Sequence, residues 1–250
     1  MDGRPQTGAR RTTRPEGPRA ALVEVGAGAA VLAYGYLIVK VVPEALYAPV
    51  NLAAAGVVLA LAHRAGASRD ALGLDPAKLG RGATWGLLSV VPIAAVVAAG
   101  VAFTLTRPYF VEARFAGMAT GAILYQLLVR IPLGTALSEE LIFRGGLLGF
   151  YGRRRSFWRA ALMSSFVFGL WHVLPAIGSV SSNAAGETLS STAARAAGVA
   201  GTVVATGAAG MVFCWLRKRS GSVLAPVITH AALNGLAVVG GLVVARWLQR

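Results

Sequence analysis

A succession of long apolar runs separated by short basic clusters constrains this chain more than any other feature. The runs fall at about 21–42, 47–62, 82–106, 118–151, 160–174, 193–216 and 223–244. Most are long enough to cross a hydrocarbon layer about 30 Å thick. Within hydrocarbon every backbone amide needs an internal partner, so such segments must be helices or strands of a closed barrel. Runs of this length, without strict alternation, specify helices. Hydrophobic residues make up 56% of the chain and charged residues 14%, with a mean hydropathy of +0.63. A water-soluble domain would need far more polar surface. The 31 glycines suit close helix approach in lipid.

The predicted fold is therefore all-α: a polytopic transmembrane helix bundle of seven spans, or eight if 175–192 holds a further short helix. The segment 1–20 carries five arginines and three prolines without apolar periodicity, and is expected to be a disordered basic cytoplasmic tail. Residues 21–116 would form the N-terminal transmembrane helices, and 117–245 a second helical core. The fourth run is too long for one ordinary span and contains Arg130 and Pro132. A broken or long tilted helix is expected there. Pro175 should end the fifth run, and the Ser/Gly/Asn-rich stretch 178–191 reads as loop. Residues 107–114 read as an interfacial loop. Gly198, Gly201, Gly207 and Gly210 would allow close backbone approach along the sixth span.

The net charge of +14 comes from 24 Lys+Arg against 10 Asp+Glu. The basic residues sit between apolar runs, as anchors beside anionic lipid do, so nucleic acid is not the expected partner. With the N-terminus inside, alternate loops hold 16 basic residues and the opposite side 6, which predicts a cytoplasmic N-terminus. Cys214 is the only cysteine, so no disulfide or cysteine-rich metal cluster can form within the chain.

Polar residues inside the spans are few. Glu139, Glu140 and Arg144 lie in the fourth run, His172 in the fifth, and His230 and Asn234 in the seventh. Counted at 1.5 Å per helical residue from the basic cluster at each helix end, Glu139 lies about 21 Å deep, His172 about 20 Å, His230 about 16 Å and Asn234 about 22 Å. The pairs Glu140/Arg144, Phe168/His172 and His230/Asn234 are each spaced i,i+4 and share a helix face. Ionisable groups at such depth are costly, and are usually paired and functional.

Two chemistries fit the set. Glu139 could be the general base on a water held by His172, with His230 and Asn234 donating to the developing oxyanion. Alternatively, Glu139, His172 and His230 could ligate zinc with an open fourth position. There is no H-E-x-x-H and no G-x-S-x-G. A transporter with a Glu/His relay would show related halves and polar residues reaching both faces. No internal repeat is visible, and the polar groups collect at one level. A non-catalytic scaffold or immunity protein is the other alternative. His63, in a basic loop, is assigned no chemistry, and Trp171 reads as a packing residue.

At these residues the chain resembles the CPBP or Abi family of intramembrane proteases, which includes CAAX prenyl protease 2-like and bacteriocin-processing members. The E-E-x-x-x-R motif is matched by Glu139 to Arg144, with the frequent Phe-Arg-Gly ending at Phe143–Gly145. F-x-x-x-H is matched by Phe168 to His172 and H-x-x-x-N by His230 to Asn234. The approach Gly221–Pro226 is also similar, and the resemblance covers about Tyr125–Gly240. It implies hydrolysis of a peptide bond in a membrane-associated protein or peptide. Glu139 with His172 would activate water, His230 with Asn234 would form the oxyanion site, and Glu140 with Arg144 would organise it. It favours a glutamate protease without a required metal, zinc being the older family reading. The Ala-, Gly-, Arg- and Val-rich composition points to a bacterial plasma membrane, with bacteriocin maturation, self-immunity or unspecified membrane proteolysis as roles rather than processing of prenylated proteins.

Overall fold

A computed structural model describes residues 17–110, 118–182 and 191–248. The expected tail lies outside the described residues as far as residue 16, and so do 111–117 of the interfacial loop and 183–190. Among the described residues there are helices and no strand. The elements are α1 (Pro18–Lys40), α2 (Tyr47–Arg64), α3 (Leu79–Ala102), α4 (Thr120–Gly152), α5 (Phe157–Trp171), α6 (Val173–Ser182), α7 (Thr192–Ser220) and α8 (Leu224–Leu248). Seven helical segments are long and apolar enough to cross a membrane, α5 and α6 together supplying one of them. The protein is a multi-pass membrane protein. Its outer faces carry exposed apolar side chains such as Val96 (72%) and Val204 (71%), a surface that lipid covers and water would not.

The α4 span stays helical throughout its 33 residues, so the long-helix form of the expectation holds. Its geometry is unusual. Gln126–Leu137 and Leu141–Leu147 are π-helical, and Ser138–Glu140 between them is an α-helical turn. Pro132 supplies a local reason. Without an N–H, and with a ring that crowds the carbonyl four residues back, it disfavours the ordinary turn, which a wider i→i+5 turn accommodates. The two glutamates sit where the helix passes from one π stretch to the next.

Two sequence expectations need correction at the α5–α6 boundary. The fifth span breaks at His172, not at Pro175. His172 has φ −85° and ψ 2°, and its amide donates to Gly169 O at 3.0 Å. Pro175 lies in the first turn of α6, where a missing N–H costs nothing. Residues 178–182 are helical rather than loop. With ten residues, α6 cannot cross the bilayer alone, so the span count stays at seven.

Small residues set the helix contacts, as expected where lipid removes most of the hydrophobic drive for association. The α2–α4 contact closes where Gly145 and Gly146 face Leu59 and Val58. A Cβ at Gly169 in α5 would meet Val203 O of α7 at 2.8 Å and Gly207 Cα at 3.4 Å. Gly207 and Gly210 therefore serve close packing, whereas Gly201 faces open space. Gly221 takes φ +73° between α7 and α8, a left-handed cap that glycine adopts without strain. Together α4, α5, α7 and α8 enclose a core that includes Phe143, Phe168, Trp171 and Phe213.

Candidate active site

Three helices bring the polar residues together in two linked groups. In the first, Glu140 Oε1 accepts from Arg144 Nη1 at 3.1 Å and lies 2.8 Å from His230 Nδ1. Glu140 and Arg144 are fully buried and His230 is buried. The i,i+4 pairing expected of Glu140 and Arg144 is present, and the structure adds His230 from α8 to it. Arg144 Cζ lies 4.1 Å from the Phe168 ring centroid and 5.0 Å from that of Phe213. These aromatic faces offset part of the cost of burying the guanidinium. Gly210 makes room for it, since a Cβ there would come 2.9 Å from Arg144 Nη2.

In the second group, Glu139 Oε1 accepts from Trp171 Nε1 at 3.3 Å. Glu139 is buried, and among the described residues its Oε2 has no hydrogen-bond partner. Trp171 is thus more than the packing residue the sequence suggested. A buried indole N–H needs an acceptor, and that requirement was the available signal. Its ring lies 5.6 Å from Phe143 and 5.9 Å from Tyr34, and Gly35 of α1 lets it approach. The Tyr34 hydroxyl in turn donates to Asn51 Oδ1 at 2.7 Å. The N-terminal helices α1 and α2 therefore hold the donor that holds Glu139.

His172 is half-buried, with Nδ1 2.8 Å from Phe168 O. A carbonyl can only accept, so Nδ1 carries the proton and Nε2 of the neutral ring is an acceptor. Phe168 joins the two groups. Its ring lies 4.5 Å from His172 and 6.0 Å from His230, edge-on to both. Phe213 of α7 stacks on His230 at 5.2 Å and 24°, a contact no sequence spacing announced.

The uniform meeting of Glu139 with both histidines and Asn234 takes a different form here. His230 engages Glu140 and His172 engages a backbone carbonyl, while Glu139 is reached through Trp171. Asn234 is half-buried one turn beyond His230, and among the described residues it bonds to none of these groups. Also among the described residues, no three His, Cys, Asp or Glu side chains gather so that they could hold a metal ion. The ligand set Glu139, His172 and His230 is not assembled in this arrangement. His63, assigned no chemistry, places Nδ1 2.9 Å from Ala67 O in its loop.

A seven-span helical bundle with a buried carboxylate, imidazole and guanidinium cluster defines a class, that of polytopic membrane proteins with an intramembrane polar site. Residues 120–236 match the family model described as Rce1-like, type II CAAX prenyl endopeptidase. Over this stretch, just under half of the chain, the sequence is similar to that family, in agreement with the CPBP/Abi resemblance its motifs carry, and the match supports an intramembrane CAAX-protease type of enzyme. No curated protein and no solved structure matches it.

Proposed function

We propose that the chain is an intramembrane endopeptidase of the glutamate type, with its catalytic core at 117–245. Its substrate is a membrane-associated protein or peptide. The observation that carries this reading is the contrast within one dipeptide: Glu140 Oε1 is bound by the cation Arg144 and by His230, whereas Glu139 Oε1 has only the neutral Trp171 N–H, and among the described residues the Oε2 of each is buried and unpartnered. Glu139 Oε2 accepts a proton from water, and the water oxygen attacks the substrate carbonyl carbon. The acceptor Nε2 of His172 orients the second hydrogen of that water.

Negative charge then develops on the carbonyl oxygen. His230 donates to it from Nε2 as imidazolium, with Nδ1–H held by Glu140, and the Asn234 amide is a second donor. When the tetrahedral intermediate collapses, the C–N bond breaks and protonated Glu139 returns its proton to the leaving amine. Water has then been added across one peptide bond, and every group regains its starting state. Arg144 and Glu140 fix His230 and take no part in proton transfer to substrate. No metal is required in this scheme. The site faces a bacterial plasma membrane interior, with the basic loops and the N-terminus in the cytoplasm.

The test uses the purified full chain in liposomes and a membrane-anchored test peptide. Glu139→Gln and His172→Ala should each abolish cleavage, a general base being worth about 10²–10⁴ in rate, while thermal unfolding stays unchanged. Full activity in Glu139→Gln sinks the assignment. Cleavage that survives exhaustive chelation, with metal content measured, supports the metal-free scheme. Loss that zinc alone restores assigns a metal instead.

A further inference from the structure

The basic end of the bundle holds a cavity of about 550 Å³, between the ends of α2, α4 and α7 and the starts of α3 and α5. Five basic side chains line it, Lys78, Arg81, Arg153, Arg217 and Lys218, against one carboxylate, Asp70. Asp70 is already paired with Lys78. Arg217 is 6% exposed, and its Nη2 donates to Asp70 O at 2.7 Å and to Ala71 O at 3.1 Å. Among the described residues its Nε is buried with no hydrogen-bond partner, and so is Arg153 Nη1. Buried guanidinium donors without acceptors are costly; Arg217 Nε packs against Gly73, while the side chains of Arg153, Arg217 and Lys218 together line an opening rich in positive charge.

The surrounding contacts fix this geometry. Arg81 Nε donates to Ser220 O at 2.6 Å, which ties α3 to the α7–α8 turn. Lys218 Nζ lies 4.6 Å from the Trp158 ring centroid and 5.1 Å from that of Phe157. Burial, with repulsion from Arg154 second, pulls the Arg153 guanidinium below the usual arginine range. Leu148 and Phe157 give the cavity an apolar wall on the helix side.

We infer that this cavity binds a phosphate-bearing anion, and that its occupant in the membrane is the headgroup of an anionic phospholipid. The five clustered basic side chains, with one paired carboxylate among them, suit phosphate oxygens, which accept several charge-assisted bonds at once. The apolar wall suits the first acyl carbons of a lipid. Basic pockets between spanning helices are a recognised way to hold anionic headgroups. This site is separate from the Glu139 site and does not depend on the proteolytic reading.

The test titrates the purified full chain in neutral detergent with phosphatidylglycerol, phosphatidylcholine or inorganic phosphate. Bound lipid is read by native mass spectrometry and unfolding temperature in parallel. Wild type should retain phosphatidylglycerol in preference to phosphatidylcholine and unfold at a higher temperature with it. Arg153→Gln/Lys218→Gln should weaken that binding about tenfold or more, each basic residue contributing appreciably. Arg64→Gln/Arg159→Gln, which removes two exposed charges from the same end, should leave it within about twofold. Should the first double variant not fold, Lys218→Gln alone serves, with a loss of about threefold or more. Equal loss in both double variants, or no preference over phosphatidylcholine, overturns the inference. Full competition by inorganic phosphate supports the site and assigns its occupant to free phosphate.

Discussion

Two acid–base pairs, one half-buried and one fully buried, serve the bundle differently. Near the basic end, Arg155 sends Nε and Nη2 to the same Glu24 oxygen, at 2.8 and 2.6 Å, and Tyr151 Oη donates to Glu24 O at 3.3 Å. That arrangement ties α1 to the end of α4. At the centre, Arg144 makes one bond to Glu140, its Nε and Nη2 have no hydrogen-bond partner among the described residues, and aromatic rings cover it. In each pair one carboxylate oxygen, Glu24 Oε1 or Glu140 Oε2, has no partner among the described residues. The first pair joins two elements and stands apart from other acid–base groups, whereas the second adds His230 and sits beside Glu139. Neither ion pairing nor an unpaired carboxylate oxygen alone therefore marks a functional site; the convergence of several groups with acid–base chemistry does so better.

The comparison can be broken first at its strongest point. Arg144→Ala leaves Glu140 buried without its cation and should lower stability by about 3–5 kcal/mol, with loss of cleavage, read as a fall in unfolding temperature. Glu24→Gln should cost about 1–3 kcal/mol of stability and leave the cleavage rate of the folded fraction unchanged. A large change in that rate would erase the distinction between the two regions. Trp171→Phe sharpens the account, because it keeps an aromatic ring but removes the donor to Glu139. Its kcat should fall about tenfold, the equivalent of one lost hydrogen bond at about 1–1.5 kcal/mol, with little change in KM.

The smallest effect belongs to the surface. A hydrogen bond from Lys78 holds the Asp70 carboxyl below its usual range. A carboxyl lowered on folding stabilises above its unfolded value, about 3.9, and that stabilisation is lost as pH falls through the folded value. Asp70 is well exposed, so Asp70→Asn should cost less than about 1 kcal/mol at pH 7. The difference from wild type, followed by thermal unfolding against pH, should begin to shrink near about pH 4 and vanish only below the lowered folded value.

The spans were legible because apolar length is a one-dimensional property, and so was the Glu140–Arg144 pair, since i,i+4 spacing on a helix is local. The His230 bond to Glu140 was not, because it joins residues 90 apart and depends on how α8 rotates. The break at His172 was misplaced because proline is tolerated in a first turn as readily as it ends a helix. The π geometry of α4 had a sequence cause in Pro132, but that proline is equally compatible with a kink. Trp171 was read by size when its N–H was the informative part. Counting along the sequence put four of the six site residues at one depth, and tertiary packing decided which of the six touch.

The division of labour between Glu139 and Glu140 is the central claim, and one paired measurement tests it directly. Glu139→Gln and Glu140→Gln are compared in the same liposomes for cleavage of the test peptide and for unfolding temperature. The account predicts that Glu139→Gln loses cleavage by at least about 10²-fold at unchanged unfolding temperature, whereas Glu140→Gln unfolds several degrees lower. Full cleavage in Glu139→Gln, or the same profile in both variants, would contradict it.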